Sequence, residues 1–118
     1  MSLLLSAEAI AARLAAELPT WTYAEGHLQR TYRYNGWKSV LLAAGAVAHV
    51  AEAAWHHPEL TLGYGQLQVR LQTHDAGGVT AKDFALAIQI EAVLTWQPPV
   101  ASGLEGTPDD PRYAYRLP

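Results

Sequence analysis

Between Glu52 and Asp83 the chain gathers Glu52, His56, His57, His74 and Asp83, all side chains that can move or hold a proton near neutral pH. Imidazole is the natural centre of such a set. Its ordinary pKa of about 6.5 lets the same group give and take a proton at pH 7. Three of the five histidines fall in this stretch.

Spacing leaves several chemistries open. His49, Glu52 and His56 recur at helical intervals, so they share one stripe. That stripe could serve proton transfer, a zinc site or a plain surface pair between Glu52 and His56, although the compact His-Glu-x-x-His pattern of zinc hydrolases is lacking. His56-His57-Pro58 closes the segment. A proline pushes the residue before it out of the helical region, so the two rings leave the backbone in different directions, one able to face each side of a cleft. His74 lies in register with the polar positions of a strand, where a solvated histidine would serve equally well. Asp83 is already accounted for as the N3 acid of a capping box, Thr80-Ala-Lys-Asp83. Both roles fit one residue if one carboxylate oxygen caps the helix and the other orients an imidazole, fixing its tautomer and stabilising its charged form.

The elements that must position these residues are legible in pattern. Ser6 reads as a helix N-cap with Leu5 and Ile10 as a hydrophobic staple; Ile10, Leu14 and Leu18 follow at helical spacing until Pro19. Trp21 to Tyr23 and Leu28 to Tyr34 flank Glu25-Gly26 as a hairpin. After Asn35-Gly36, an alanine-rich helix is expected from about Trp37 to His56, burying Val40, Leu41, Ala44, Val47, Ala48 and Ala51. A second hairpin joins Leu60 to Leu62 with Gln66 to His74, where Leu67, Val69, Leu71 and Thr73 alternate with polar residues. Gly77-Gly78 turn the chain into a last helix carrying Leu86, Ile90, Val93 and Leu94. The order is helix, hairpin, helix, hairpin, helix: an α+β domain with a four-stranded antiparallel sheet and three helices on one face.

Residues 1–95 form that domain. Residues 96–118 differ in kind, with Trp96-Gln-Pro-Pro99, Gly103, Gly106, Pro108, Pro111 and then Tyr113 and Tyr115. Proline and glycine forbid a long element, while the aromatics argue for a strap lying on the domain or on a neighbouring subunit.

Composition narrows the classes. A chain of 118 residues, half of them hydrophobic, builds one domain with a real core. The absence of cysteine excludes a disulfide framework, a thiolate metal site and a cysteine nucleophile. A formal charge of −3 argues against nucleic acid as a partner. No apolar run reaches the roughly 20 residues that span a bilayer, and Met1 to Ser6 lacks the basic region of a secretory signal, so a soluble cytoplasmic protein without membrane contact is expected.

With those residues in place, the sequence resembles the pterin-4a-carbinolamine dehydratase family. Glu52, His56-His57-Pro58, Tyr64, His74 and Asp83 fill that family's signature, and Thr73-His74-Asp-Ala-Gly-Gly78-Val-Thr80-Ala-Lys-Asp83 is similar to its strand, turn and helix. The similarity runs from about residue 3 to 94 and includes Trp21 at the first hairpin. Tyr32 and Tyr34 depart mildly, standing where phenylalanine is more usual, and the tail from Trp96 has no counterpart in compact members and could cover the cleft.

The resemblance implies dehydration of a 4a-hydroxytetrahydropterin to the quinonoid dihydropterin, recycling a tetrahydropterin cofactor. Its implied active-site histidines are His56, His57 and His74, with Glu52 and Asp83 orienting the rings and Trp55, Pro58 and Thr73 against the substrate. No metal and no cofactor are implied, the pterin itself being substrate. Homodimers joined through the sheet, or homotetramers joined through helices, are also implied. The same fold hosts a second possibility from another class: a catalytically idle binding protein, acting as an assembly factor for a protein client or as a dimerisation cofactor.

Overall fold

The computed structural model describes residues 3–118; Met1 and Ser2, part of the start read above as lacking a secretory signal, lie outside the described residues. In chain order the elements are α1 (Ala7–Glu17), β1 (Thr22–Ala24), β2 (His27–Tyr34), α2 (Trp37–Ala54), β3 (Glu59–Gly63), β4 (Gln66–Leu71), α3 (Ala81–Leu94) and β5 (Arg116–Leu117). Among the described residues no helix is long and apolar enough to cross a membrane.

Local chemistry sets the ends of these elements. The Ser6 hydroxyl accepts the Ala9 N–H and starts α1. Glu25 and Gly26 both take positive φ, the geometry a two-residue hairpin turn needs to match strand twist. The two hairpins meet along β2 and β4, giving the antiparallel order β1-β2-β4-β3, with Leu28 opposite Leu71 and Tyr32 opposite Leu67. Leu28, Tyr32, Leu67, Val69 and Leu71 face the helices and are fully buried against Val40, Ala43 and Val47 of α2 and Phe84, Ala87 and Ile90 of α3. Alternation puts the polar residues of β4 on the other, more open face. The α+β arrangement read from the sequence is therefore the one observed.

Five details differ from the sequence reading. The sheet has a fifth strand, because β5 from the tail pairs antiparallel with β2 through Arg33–Leu117 and Tyr34–Arg116. In α2 the buried stripe is Val40, Ala43, Val47 and Ala51, while Leu41 and Ala48 are exposed. A helix of small residues offers two neighbouring stripes, and periodicity alone does not say which one the sheet takes. Helix α2 stops at Ala54 rather than at His56. Strand β4 stops at Leu71, so His74 opens a short 3₁₀ turn over His74–Ala76 instead of ending a strand. In α3, Val93 is exposed whereas Leu86, Ile90 and Leu94 are buried as expected.

The turn into α3 is packed tightly. A β-carbon on Gly78 would come within 2.6 Å of Leu4 Cδ1, and the adjacent Leu5 N–H donates to the Val79 carbonyl at 2.9 Å. The segment before α1 thus clamps the strand-to-helix turn from outside.

A polar network absent from the sequence reading ties α3 to the sheet. Glu91 Oε1 accepts the Trp21 indole N–H at 2.9 Å, the Tyr32 hydroxyl at 2.6 Å and the Arg30 Nε–H at 3.3 Å. Burial alone would push this carboxyl up, but the donated hydrogen bonds from Tyr32 and Trp21 and the Arg30 charge outweigh it and hold Glu91 below the usual carboxylate range. A carboxylate depressed in the folded state adds stability above its unfolded pKa, and that stability is lost as pH falls through the folded value. Stability of the chain should therefore fall below about pH 4.5, the ordinary glutamate value. Glu91→Gln should lower neutral-pH stability by about 2 kcal/mol and flatten that acid limb, as read by urea unfolding at neutral and acid pH. An unchanged acid limb would remove Glu91 from this role.

Candidate active site

The end of α2 generates the site. The Trp55 N–H donates to Glu52 O and the His56 N–H to Ala51 O, the paired contacts of a Schellman closure. That closure demands a left-handed residue at position 55, and Trp55 supplies it with φ 56° and ψ 44°. Glycine or asparagine would sit there more easily; a bulky residue in this region is strained. The reversal sends His56 inward and His57 outward, separating two rings that are adjacent in sequence.

His56 is mostly buried, and its Nε2 lies 2.7 Å from Asp83 Oδ1. Asp83 is 0% exposed, and a buried carboxylate must be surrounded by donors. Its Oδ2 accepts the Thr80 backbone N–H at 2.9 Å, closing the capping box of α3, and the Thr73 hydroxyl at 2.8 Å. The Thr73 and Thr80 hydroxyls are 2.7 Å apart. Since Thr73 gives its one proton to Asp83, Thr80 donates to Thr73 and itself accepts the Lys82 N–H. Both oxygens of Asp83 are thus engaged. An ionised carboxylate can only accept, so the His56 proton facing it is on Nε2 and Nδ1 is left for chemistry.

His57 repeats the arrangement on the outside. Its Nε2 is 2.7 Å from Glu52 Oε1, and its ring meets the Trp55 indole edge-on at 5.1 Å. Glu52 is more than half exposed and His57 about half, so this pair is wet where the His56–Asp83 pair is dry. Exposed pairs of this kind hold a ring in orientation but contribute little stability. The Trp55 indole is 77% exposed, Pro58 is half-buried, and Pro58 leads directly into β3.

The backbone at His74 adjoins this network by a different route. Thr73 is bonded to Asp83, and His74 is the next residue, opening the 3₁₀ turn with its side chain exposed and making no hydrogen bond among the described residues. One buried carboxylate therefore links the end of α2 to the β4–α3 connection, elements far apart in sequence.

Two sequence expectations change. Glu52 pairs with His57 rather than with His56, because α2 ends two residues early and the left-handed Trp55 swings His56 away from the helical stripe. Thr73, expected against a substrate, is buried with its hydroxyl committed to Asp83, so it positions the site from behind. His49 stands apart on the exposed face of α2, and among the described residues no three His, Asp or Glu side chains converge as a metal site requires. The Thr73–Thr80 relay escaped sequence reading, since two threonines seven apart carry no periodic signal.

The tail does not attach at this end of the sheet. It pairs with β2 at Arg33 and Tyr34, whereas Thr73 continues β4 beyond Leu71, which lies opposite Leu28. Six strand residues separate the two ends, about 20 Å. A hollow of about 1090 Å³ lies between the end of α3 and the tail, bordered by Trp96, Leu104, Tyr113 and Tyr115, and no site histidine lines it.

Comparison with known proteins identifies the family. The family model described as Pterin 4 alpha carbinolamine dehydratase matches residues 3–93. A Haloarcula marismortui protein named "Putative pterin-4-alpha-carbinolamine dehydratase" is 40% identical over 93 residues, spanning 79% of this chain and 98% of that one. A Chloroflexus aurantiacus protein of the same name is 39% identical over 87 residues, 74% of this chain and 94% of its own. The crystal structure of a transcriptional coactivator/pterin dehydratase from Brucella melitensis superposes with a TM-score of 0.70 at 25% identity, covering 77% of this chain and 98% of that one. A pterin dehydratase-like protein described as a RuBisCO assembly factor in the alpha-carboxysome shares the fold, with a TM-score of 0.53 at 14% identity over 65% of this chain and 89% of its own. Through the match over residues 3–93 and these relatives, the chain belongs to the pterin 4 alpha carbinolamine dehydratase family, a family of hydro-lyases.

Proposed function

We propose that this chain dehydrates a 4a-hydroxytetrahydropterin to the quinonoid dihydropterin, with His56, His57 and His74 as its acid–base groups, returning a tetrahydropterin cofactor to use. The observation that carries the reading is the pair of oriented imidazoles. Asp83 holds His56 and Glu52 holds His57 through Nε2, each at 2.7 Å, and each ring keeps its Nδ1 for a ligand. The reaction asks for little else. The C4a–O bond breaks with its electron pair on oxygen, which takes a proton and departs as water. The N5 lone pair forms the new double bond, and N5 gives up its hydrogen to a base. One acid and one base close the balance.

His56 and His74 are assigned the two proton transfers, with His57 positioning or assisting from the other side of the ring. Asp83 fixes the orientation and tautomer of the His56 ring in a dry setting where that hydrogen bond is strongest. Positioned acid–base catalysis of this kind is worth about 10² to 10⁴ in rate.

Trp55 and Pro58 are assigned to the substrate's flat face. Trp55→Gly should relieve the left-handed strain and raise stability by about 1 kcal/mol, while raising KM several-fold and leaving kcat nearly unchanged. Thermal unfolding and steady-state kinetics read the two effects separately; a KM equal to wild type removes the indole from binding. The primary test is turnover of freshly generated carbinolamine by the full chain. A rate no greater than the spontaneous one would defeat the proposal and leave the protein-binding alternative in its place.

A further inference from the structure

Asn35-Gly36 joins β2 to α2 and takes no part in the histidine site. Gly36 stands at the N-cap of α2 with φ 114° and ψ −176°. A β-carbon there would meet nothing closer than the Tyr64 hydroxyl at 3.6 Å, so conformation rather than space demands the glycine. Its N–H makes no hydrogen bond among the described residues. Asn35 is exposed, and its side-chain amide donates to Pro111 O at 3.0 Å.

That amide is a large part of a slight hold. The strap Asp110–Leu117 is otherwise fixed by the two-residue ladder of β5 on β2 and by the Tyr115 ring against Tyr34 at 5.4 Å. Beneath it the Tyr34 hydroxyl is buried with no hydrogen-bond partner. An orphaned buried donor weakens the closed arrangement relative to an open one in which that hydroxyl meets water.

We infer that Asn35 is a site of spontaneous deamidation and that its amide latches the strap, so that the modification releases Asp110–Leu117 one way. The Gly36 nitrogen loses its proton to water and attacks Asn35 Cγ, with no β-carbon on Gly36 to obstruct the approach. The Cγ–Nδ2 bond breaks, ammonia departs, and a five-membered succinimide remains. Water then opens that ring at either carbonyl, leaving aspartate or isoaspartate. Asparagine is thermolabile in this way.

Exchanging the amide for a carboxylate reverses the contact. A carboxylate only accepts, so it and the Pro111 carbonyl repel each other. Arg112, the next residue of the strap, is already held by Asp110 through Nε and Nη2 at distances between 2.6 and 3.2 Å. Helix α2, by contrast, starts with no side-chain cap and no acid in its first turn, so its free N–H groups and dipole draw the new charge away from the strap. The strap also protects its own latch. While Nδ2 rests on Pro111 O, Cγ is kept from turning onto the Gly36 nitrogen, and a looser strap is modified faster.

The test ages the full chain in warm, mildly alkaline buffer and follows residue 35 by peptide mass spectrometry, with hydrogen exchange across Asp110–Leu117 on the same samples. Conversion of the Asn35 amide to acid is expected, and it should run several-fold faster in Tyr115→Ala. Strap exchange should quicken at least about fivefold as conversion proceeds, the effect of losing one hydrogen bond to a repulsion. Asn35→Asp should exchange fast from the start. Asn35→Gln, which must close a less favoured six-membered ring, should stay unmodified, and its strap exchange should not change with age. Circular dichroism confirms that each variant is folded. Four results each overturn the inference: an Asn35 that stays intact, a Tyr115→Ala chain modified no faster, an Asn35→Asp strap exchanging like wild type, or a strap that loosens with age in Asn35→Gln. A fresh wild-type strap already as unprotected as unfolded chain overturns it too, since nothing would then be latched.

Discussion

Replacing Asp83 with alanine should cost about 3 kcal/mol of stability, because it removes the acceptor for three buried donors at once: the His56 ring, the Thr73 hydroxyl and the Thr80 N–H. Asp83→Asn separates structure from chemistry. The amide keeps the volume and one acceptor, so the stability loss should be smaller, about 1–2 kcal/mol. The oxygen must still accept the Thr80 backbone N–H, which cannot reverse, so the NH₂ faces His56. Facing His56, it forces Nε2 to accept, which moves the ring proton to Nδ1 and takes away the tautomer that the proposed reaction uses. Dehydration should fall by about 10² or more in either variant. Denaturant unfolding and turnover on the same preparations check both numbers. An asparagine variant with wild-type turnover would show that His56 orientation is irrelevant to the chemistry.

His74→Ala should behave in the opposite way, with the effect confined to rate. The ring is exposed and makes no hydrogen bond among the described residues, so stability should stay within about 0.5 kcal/mol of wild type. If His74 handles one of the two protons, dehydration should fall at least about tenfold. His49→Ala is the matched control, since it removes another exposed histidine, about two helical turns before His56 in the chain. Equal rates for both variants would take His74 out of the proposed mechanism. Comparison with Asp83→Asn is informative in itself: one residue acts through a buried network and so moves stability and rate together, the other acts only on the ligand.

The pattern of the chain determined the fold class, the hairpins and the helix starts, and it offered the candidate chemical residues. Alternation along β4 predicts the buried Leu67, Val69 and Leu71, and the Thr80–Asp83 spacing predicts a capping box that the structure contains. These are local properties, set by period and by backbone groups a few residues apart, so a sequence states them directly. What it could not state is which partner each group takes across space. Glu52 chose His57 because Trp55 turns left-handed at the end of α2. Thr73 became a support for Asp83 rather than a surface residue, because Thr80 meets it across the turn. Glu91 draws together Trp21, Arg30 and Tyr32 from elements some sixty or more residues away in the chain. The tail found its own sheet edge, and did so far from the histidines. Each of these depends on where a side chain's last hydrogen bond goes once the backbone has closed, and only the tertiary packing decides that.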